Sequence, residues 1–293
     1  MIESHTIQTS RLSIHYRAQG DSDGLPMVLL HGEFGTSRWW EPFFDVLPTE
    51  IRAIAPDLRG TGRSDKPDDG YSIEEQAEDL RALVDALQLS EFDLVAHSGA
   101  GAIGIEYALS HTHRISSLVL VNSVPIEGVY SPLDTILLLE QLKVDQVLLA
   151  KSLALLMPTI PIHFFSDEYT IDVNPSPDYT KKEWFQSIID DAQAMAPPLF
   201  TGFAEALNQW NRSGDANRLT LPSLVIWGDK DPIVSQDSAT RTLISIPGAA
   251  NLEILRGVGH APMIESPLRL AELIINFITD DHSHFSEIRH SVE

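Results

Sequence analysis

Residues 94–104 read LVAHSGAGAIG, so a serine stands between an apolar run and a series of very small residues. The apolar run is typical of a buried strand, and the residues after Ser98 are typical of a helix. A residue at so abrupt a junction is strained, and its side chain is lifted above the sheet edge. Strand and helix then approach closely, so Ala96 and Ala100 must be small. Ser98 is a candidate nucleophile. The alternative is that this turn of small residues serves only the close packing of strand and helix.

The composition excludes several classes of partner. The chain has 293 residues, of which 43% are hydrophobic, and its formal net charge is -22. Phosphate groups are bound by clustered cations, so we expect neither nucleic acid nor a membrane as a partner. The absence of cysteine excludes disulfides and thiolate catalysis. A small-molecule substrate is expected, and the oligomeric state is left open.

The N-terminus carries no targeting signal that we can identify. MIESHTIQTS has neither a cationic region nor an apolar core of the kind found in secretory signal peptides. The longest apolar runs are too short to span a bilayer. These observations predict a cytoplasmic protein.

Short apolar runs alternate with amphipathic stretches along much of the chain. The predicted strands are 12–18, 26–32, 51–57, 92–97, 115–123, 221–229 and 251–257. Ser72 and Glu75 form a capping-box pattern at the start of an amphipathic helix. Continuous apolar strands separated by helices indicate an α/β, doubly wound, mostly parallel sheet that is covered on both faces.

The alternation stops after Val124 and resumes with the strand at 221–229. Between these points lie leucine-rich helical stretches, then prolines and aromatics, without a clear strand. We therefore predict a core domain formed by 1–124 and 216–293, and a helical cap domain formed by 125–215. The tail that contains His282, His284 and His290 is polar, and we expect it to be frayed.

A serine nucleophile needs a base, and the base needs an orienting carboxylate. In a sheet of this kind, both groups follow later strands in the order serine, acid, histidine. Asp231 lies just past the strand 221–229, and Asp229 is its competitor. His260 lies in a glycine-flanked loop before the last helix. We predict that Ser98, Asp231 and His260 act together, with His97 in a supporting place beside them.

An acyl-transfer site also needs two backbone N–H groups for the developing oxyanion. Gly99 follows Ser98 at a helix N-terminus, and the second donor is expected in the segment HGEFG, at Glu33 or, failing that, Phe34. The Glu33 carboxylate is unusual there, because a negative charge would repel the oxyanion unless the side chain turns away or is paired. Asn122 ends a strand where an acid could stand, but its amide makes Asp231 the better choice.

Taken together, these motifs resemble the α/β-hydrolase superfamily, in its capped, esterase- and haloperoxidase-like branch. The matching residues are His31-Gly32, DLRGTGRSD at 57–65, AHSGA at 96–100, WGDKDP at 227–232 and GHAP at 259–262. The resemblance implies eight strands and a cap inserted after the sixth. It also implies hydrolysis by a Ser-His-Asp triad. Relatives that use an aspartate nucleophile have that aspartate where this chain has Ser98.

The expected activity is that of a serine hydrolase that cleaves a small, largely apolar carboxylic ester or lactone through an acyl-enzyme, without a metal or cofactor. The same three side chains could hydrolyse a C–C bond in a β-diketone-like substrate. A ligand receptor that uses a hydrolase fold is the alternative from another class. The candidate substrate-binding residues are Phe34, Leu142, Phe164, Met195, Phe200 and Trp210.

Overall fold

The fold is built around one large twisted sheet, seen in a computed structural model that describes residues 1–165, 168–171 and 182–280. The strands are β1 (Glu3–Gln8), β2 (Ser13–Gln19), β3 (Leu25–Leu30), β4 (Ile51–Pro56), β5 (Phe92–His97), β6 (Ile115–Val121), β7 (Ile162–Phe165), β8 (Glu168–Ile171), β9 (Ser223–Gly228) and β10 (Ala249–Leu255). Eight of them form the sheet, in the order β1-β2-β4-β3-β5-β6-β9-β10. The pairs β1–β2 and β2–β4 are antiparallel. Every later pair in this order, from β4–β3 to β9–β10, is parallel.

Helices cover both faces of this sheet, as the apolar strands require. They are α1 (Glu41–Phe44), α2 (Ile73–Ala86), α3 (Ala100–His111), α4 (Leu133–Leu142), α5 (Gln146–Leu156), α6 (Lys182–Gln193), α7 (Leu199–Gln209), α8 (Gln236–Ser245), α9 (Pro262–Glu265) and α10 (Pro267–Thr279). The central strands β3, β5 and β6 are almost wholly buried. Ser72 caps α2 by accepting a hydrogen bond from the Glu75 N–H, as its capping-box pattern predicts. The predicted α/β class and eight-stranded, mostly parallel sheet are confirmed.

Strand β1 is an element that the sequence patterns did not predict. Its residues are mostly exposed, and it pairs only with β2 at the edge of the sheet. An edge strand with both faces in solvent has no apolar alternation, so hydrophobic periodicity cannot identify it.

The chain between β6 and β9 contains helices α4 to α7 and also a strand pair. β7 and β8 form an antiparallel hairpin, with Phe164 opposite Tyr169. The prediction of a purely helical insertion was therefore wrong in this detail. Ile162–Phe165 and Glu168–Ile171 are only four residues each, and strands that short lack enough alternation to be distinguished from a proline- and aromatic-rich loop.

Within the described ranges, no helix is both long enough and apolar enough to cross a bilayer. The tail with His282, His284 and His290 lies outside the described residues.

Candidate active site

Ser98 occupies the sharp turn between β5 and α3. Its φ is +56°, a left-handed conformation that non-glycine residues rarely adopt. The turn is held from both sides, because the Ser98 N–H donates to Val121 O at 3.0 Å and its carbonyl accepts from Gly101 N–H at 3.0 Å. A Cβ at Gly101 would lie 1.8 Å from Ser123 Oγ, so the small residues after Ser98 are required by close packing.

Three side chains from separate loops meet at the carboxyl ends of the strands. Ser98 Oγ lies 2.9 Å from His260 Nε2, and His260 Nδ1 lies 2.8 Å from Asp231 Oδ2. The carboxylate accepts, so Nδ1 carries the proton and Nε2 is free to accept from the serine hydroxyl. The structure brings these three predicted residues together. It is the arrangement that lets imidazole remove a hydroxyl proton.

The Asp231 carboxylate is held by more than the histidine. Its side chain is fully buried, and Oδ1 accepts from the N–H groups of Ile233 and Val234 at 2.7 and 2.9 Å. The competing Asp229 accepts from Gly257 N–H and lies 3.5 Å from Arg256, so it stabilises the neighbouring loop instead. These hydrogen bonds orient the Asp231 oxygen that faces His260.

Two buried polar residues, His97 and Asn122, hold the loops that carry the acid and the histidine. His97 Nε2 donates to His260 O at 2.7 Å. Burial lowers the pKa of His97 well below its usual value, so its ring is neutral. Asn122 donates from Nδ2 to Gly259 O and accepts at Oδ1 from Gly228 N–H, both at 2.8 Å. A single amide thus connects β6 with both loops.

The His260 loop is also tied to the segment between β6 and β9. The His260 N–H donates to Leu156 O at 2.8 Å, at the end of α5. Glu265 Oε2 accepts from the Gly259 N–H at 3.1 Å and from the Thr159 hydroxyl at 2.8 Å. The position of the imidazole therefore depends on two parts of the fold.

The two predicted oxyanion donors lie near the serine with their N–H groups available. In the part of the chain that the structure describes, the amides of Glu33 and Gly99 have no protein acceptor. Gly32 is pressed against the serine, since a Cβ there would lie 2.6 Å from Ser98 Cβ. His31 supports this loop by donating from Nδ1 to Gly32 O and accepting at Nε2 from Leu58 N–H. Phe34 has a φ of +61°, so the loop turns sharply after Glu33.

The Glu33 carboxyl has no hydrogen-bond or ion-pair partner among the residues that the structure describes. Its Oε1 atom is buried and makes no hydrogen bond, although the residue as a whole is only half-buried. Burial raises the pKa of Glu33 to about 8. Of the two ways in which the sequence allowed this charge to be tolerated, pairing with a partner is not seen among the described residues.

A large cavity of about 670 Å³ opens above the serine and reaches the surface. Ser98, Gly99 and His260 form its floor, together with Glu33 and Phe34. The opposite wall is mostly leucine from α4 and α5: Leu138, Leu139, Leu142, Leu149, Leu153, Leu155 and Leu156. A cavity of this size and apolar lining suits a small organic ligand with a nonpolar body.

The six predicted binding residues have different locations. Phe34 and Leu142 line the large cavity. Met195 lines a separate cavity of about 20 Å³ behind Phe34, and the Phe200 ring packs edge-on against Phe34 at 5.8 Å between centroids.

Phe164 and Trp210, like Met195 and Phe200, are not among the residues that line the large cavity, so their part in substrate binding stays a prediction. Phe164 packs on Tyr169 within the hairpin that the sequence did not reveal. The Trp210 indole donates to Glu106 on α3, at the junction between the segment and the core. Aromatic residue type alone does not show which side of a helix or strand faces the ligand.

Asn122 and Glu265 contribute to the site in ways that the sequence did not predict. Asn122 was noted only as a poor acid, although its place directly after a buried strand was a signal. Glu265 ends the short helix α9, and its Oε1 accepts from the Ala261 N–H at 3.2 Å. An acidic side chain within one turn of the histidine loop was the available sign.

Known proteins resemble this chain over most of its length. The model of the alpha/beta hydrolase fold family matches residues 26–267, and the chain belongs to this family. A non-heme chloroperoxidase from Streptomyces lividans is 28% identical over 280 residues, which cover 93% of this chain and 99% of that protein. Membership makes the protein part of a family of hydrolases.

Solved structures agree with the fold. An esterase from Exiguobacterium antarcticum has a TM-score of 0.79 at 21% identity, covering 95% of this chain and 100% of that one. The enol-lactonase from Burkholderia xenovorans has a TM-score of 0.76 at 23% identity, covering 94% of this chain and 100% of that one. At such identities the likeness concerns the fold.

Proposed function

We propose that the protein is a serine hydrolase that cleaves a small, largely apolar carboxylic ester or lactone through an acyl-enzyme on Ser98. The observation that carries the proposal is the continuous hydrogen-bonded series of Ser98, His260 and Asp231 beneath an apolar cavity. Esterase and lactonase activities of the structural neighbours agree with this substrate class. A cytoplasmic location and a cofactor-free reaction remain predictions.

The first half of the reaction forms the acyl-enzyme. His260 Nε2 takes the proton of the Ser98 hydroxyl while Oγ attacks the substrate carbonyl carbon. The oxygen becomes negative and is stabilised by the N–H groups of Glu33 and Gly99. Asp231 stabilises the imidazolium, which then gives its proton to the leaving alcohol as the C–O bond breaks.

The second half releases the acid. A water molecule gives its proton to His260 Nε2 and attacks the acyl carbon, and the same two amides stabilise the second oxyanion. The proton returns to Ser98 Oγ as the acyl bond breaks. The segment 125–215 acts as the cap that covers this cavity and selects the substrate by its leucine wall.

The proposal is tested by labelling and by turnover. A fluorophosphonate probe should modify Ser98 in the folded protein, while Ser98→Ala should resist labelling and lose at least about 10³-fold in kcat for p-nitrophenyl butyrate. Failure to label the folded wild-type protein would favour a receptor. A panel of p-nitrophenyl esters, lactones and β-diketones then separates ester cleavage from C–C hydrolysis.

A further inference from the structure

The Glu33 carboxyl lies beside the catalytic serine, has one buried oxygen without a partner, and has no role in the proposed mechanism. Its amide is assigned to the oxyanion, and the residue lines both the large cavity over Ser98 and the small cavity behind Phe34. Oε1 is buried without a partner, whereas Oε2 is not fully buried. Among the described residues, neither oxygen has a hydrogen-bond or ion-pair partner.

An ionised carboxyl at this position would carry two costs. A buried carboxylate without a cation or donor is strongly disfavoured. A negative charge on Glu33 would also stand beside the amides that must stabilise a negative oxygen. The neutral acid avoids both costs and has one O–H donor, whose natural place is the less buried oxygen, Oε2.

We propose that the neutral Glu33 side chain donates a hydrogen bond to the substrate, and that it selects esters or lactones with an extra ether, hydroxyl or keto oxygen close to the scissile carbonyl. This inference rests on the proposed function and adds a substrate class to it. Among otherwise isosteric acyl groups, those with such an acceptor satisfy the Glu33 donor, and hydrocarbon acyl groups leave it unpaired.

The charged side chains that line the two cavities with Glu33 are engaged by other groups, so none of them neutralises a Glu33 carboxylate. His31 is engaged by Gly32 and Leu58, and Arg59, which lines the small cavity, is paired with Asp79. On the large cavity, Arg241 is paired with Glu127. The other two ionisable side chains on these walls are those of Tyr130 and His260, and His260 Nδ1 is engaged by Asp231. The raised pKa of Glu33, about 8, has burial as its cause and agrees with a neutral acid at pH 7.

The first test compares p-nitrophenyl 3-methoxypropanoate with p-nitrophenyl pentanoate, which differ by an oxygen in place of a methylene group. The ratio of their kcat/KM values is measured for the wild type, Glu33→Gln and Glu33→Met. Glutamine keeps a neutral donor and should retain the ratio, whereas methionine should lower it about fivefold. A methionine variant with the wild-type ratio would overturn the inference.

The second test is the pH profile. The wild type should lose kcat/KM above about pH 8, where Glu33 ionises, while Glu33→Gln should lack this alkaline loss. Glu127→Gln is the matched control, because it changes another carboxyl on the cavity wall and should keep the alkaline loss. Identical alkaline profiles for the wild type and Glu33→Gln would overturn the inference.

A third readout does not depend on activity. An acid whose folded pKa is above its unfolded value stabilises the fold less as pH rises between the two. The urea midpoint of the wild type should therefore fall relative to that of Glu33→Gln from pH 5 to pH 8, and a constant difference would contradict a neutral Glu33. If no ester is hydrolysed by the wild type, the proposed function fails, while this measurement still decides the protonation of Glu33.

Discussion

The carboxyl edge of the sheet and the helices α4 and α5 of the segment 125–215 line the same cavity with different chemistry. At the sheet edge, Ser98, Asp231 and His260 are polar and are held by short hydrogen bonds. The facing wall from α4 and α5 is largely leucine. Proton transfer depends on distance and angle, whereas apolar contact depends mainly on volume and area. The sheet edge should therefore determine kcat, and the segment should determine which substrate is preferred.

The largest expected effect is at the acid. Asp231→Asn should lower kcat about 10⁴-fold, because an amide no longer fixes the His260 tautomer or stabilises the imidazolium. Steady-state kinetics with p-nitrophenyl butyrate measures it. Asp229→Asn is the matched control two residues away and should cost less than about tenfold. The opposite ranking of the two variants would show that the acid is Asp229.

An intermediate effect is expected at Asn122, which supports both catalytic loops. Asn122→Ala leaves the Gly228 N–H and the Gly259 carbonyl without their partner. It should lower the free energy of unfolding by about 1–3 kcal/mol, and kcat about 10- to 100-fold because His260 is less well positioned. Urea unfolding and kinetics measure the two effects.

The neighbouring Ser123→Ala is the control for Asn122, since the Ser123 hydroxyl donates to Val124 O and, among the described residues, to neither loop. It should lower kcat much less than Asn122→Ala does. If Asn122→Ala lowered stability but not kcat, Asn122 would support only the fold. That result would contradict the expectation that side chains at the sheet edge determine kcat.

The smallest effect should arise in the leucine wall. Leu142→Ala removes a buried side chain that faces the cavity, and it should change the ratio of kcat/KM between p-nitrophenyl octanoate and acetate by up to about tenfold. Leu137→Ala, at an exposed position on the same helix, is the control and should leave the ratio near that of the wild type. A shift in kcat alone for Leu142→Ala would contradict a selective role for this wall.

Much of the fold was predictable because buried parallel strands have a strong pattern. The apolar runs identified seven of the eight strands in the sheet, and the order of motifs predicted that Ser98, Asp231 and His260 would meet. Strand β1 was missed because it is exposed on both faces. The hairpin β7–β8 was missed because its strands are short.

The sequence by itself determined the local chemistry: a strained serine between strand and helix, an acid and a histidine after later strands, and two backbone donors near Ser98. The tertiary structure alone decided which distant groups support them, such as Asn122 between two loops and Leu156 O on the His260 amide. It also decided that Trp210 donates to Glu106 and that Glu33 has no partner in the described part of the chain. The reason is physical: backbone propensity and apolar periodicity are local, whereas burial and hydrogen-bond partners depend on chain segments that meet only after folding.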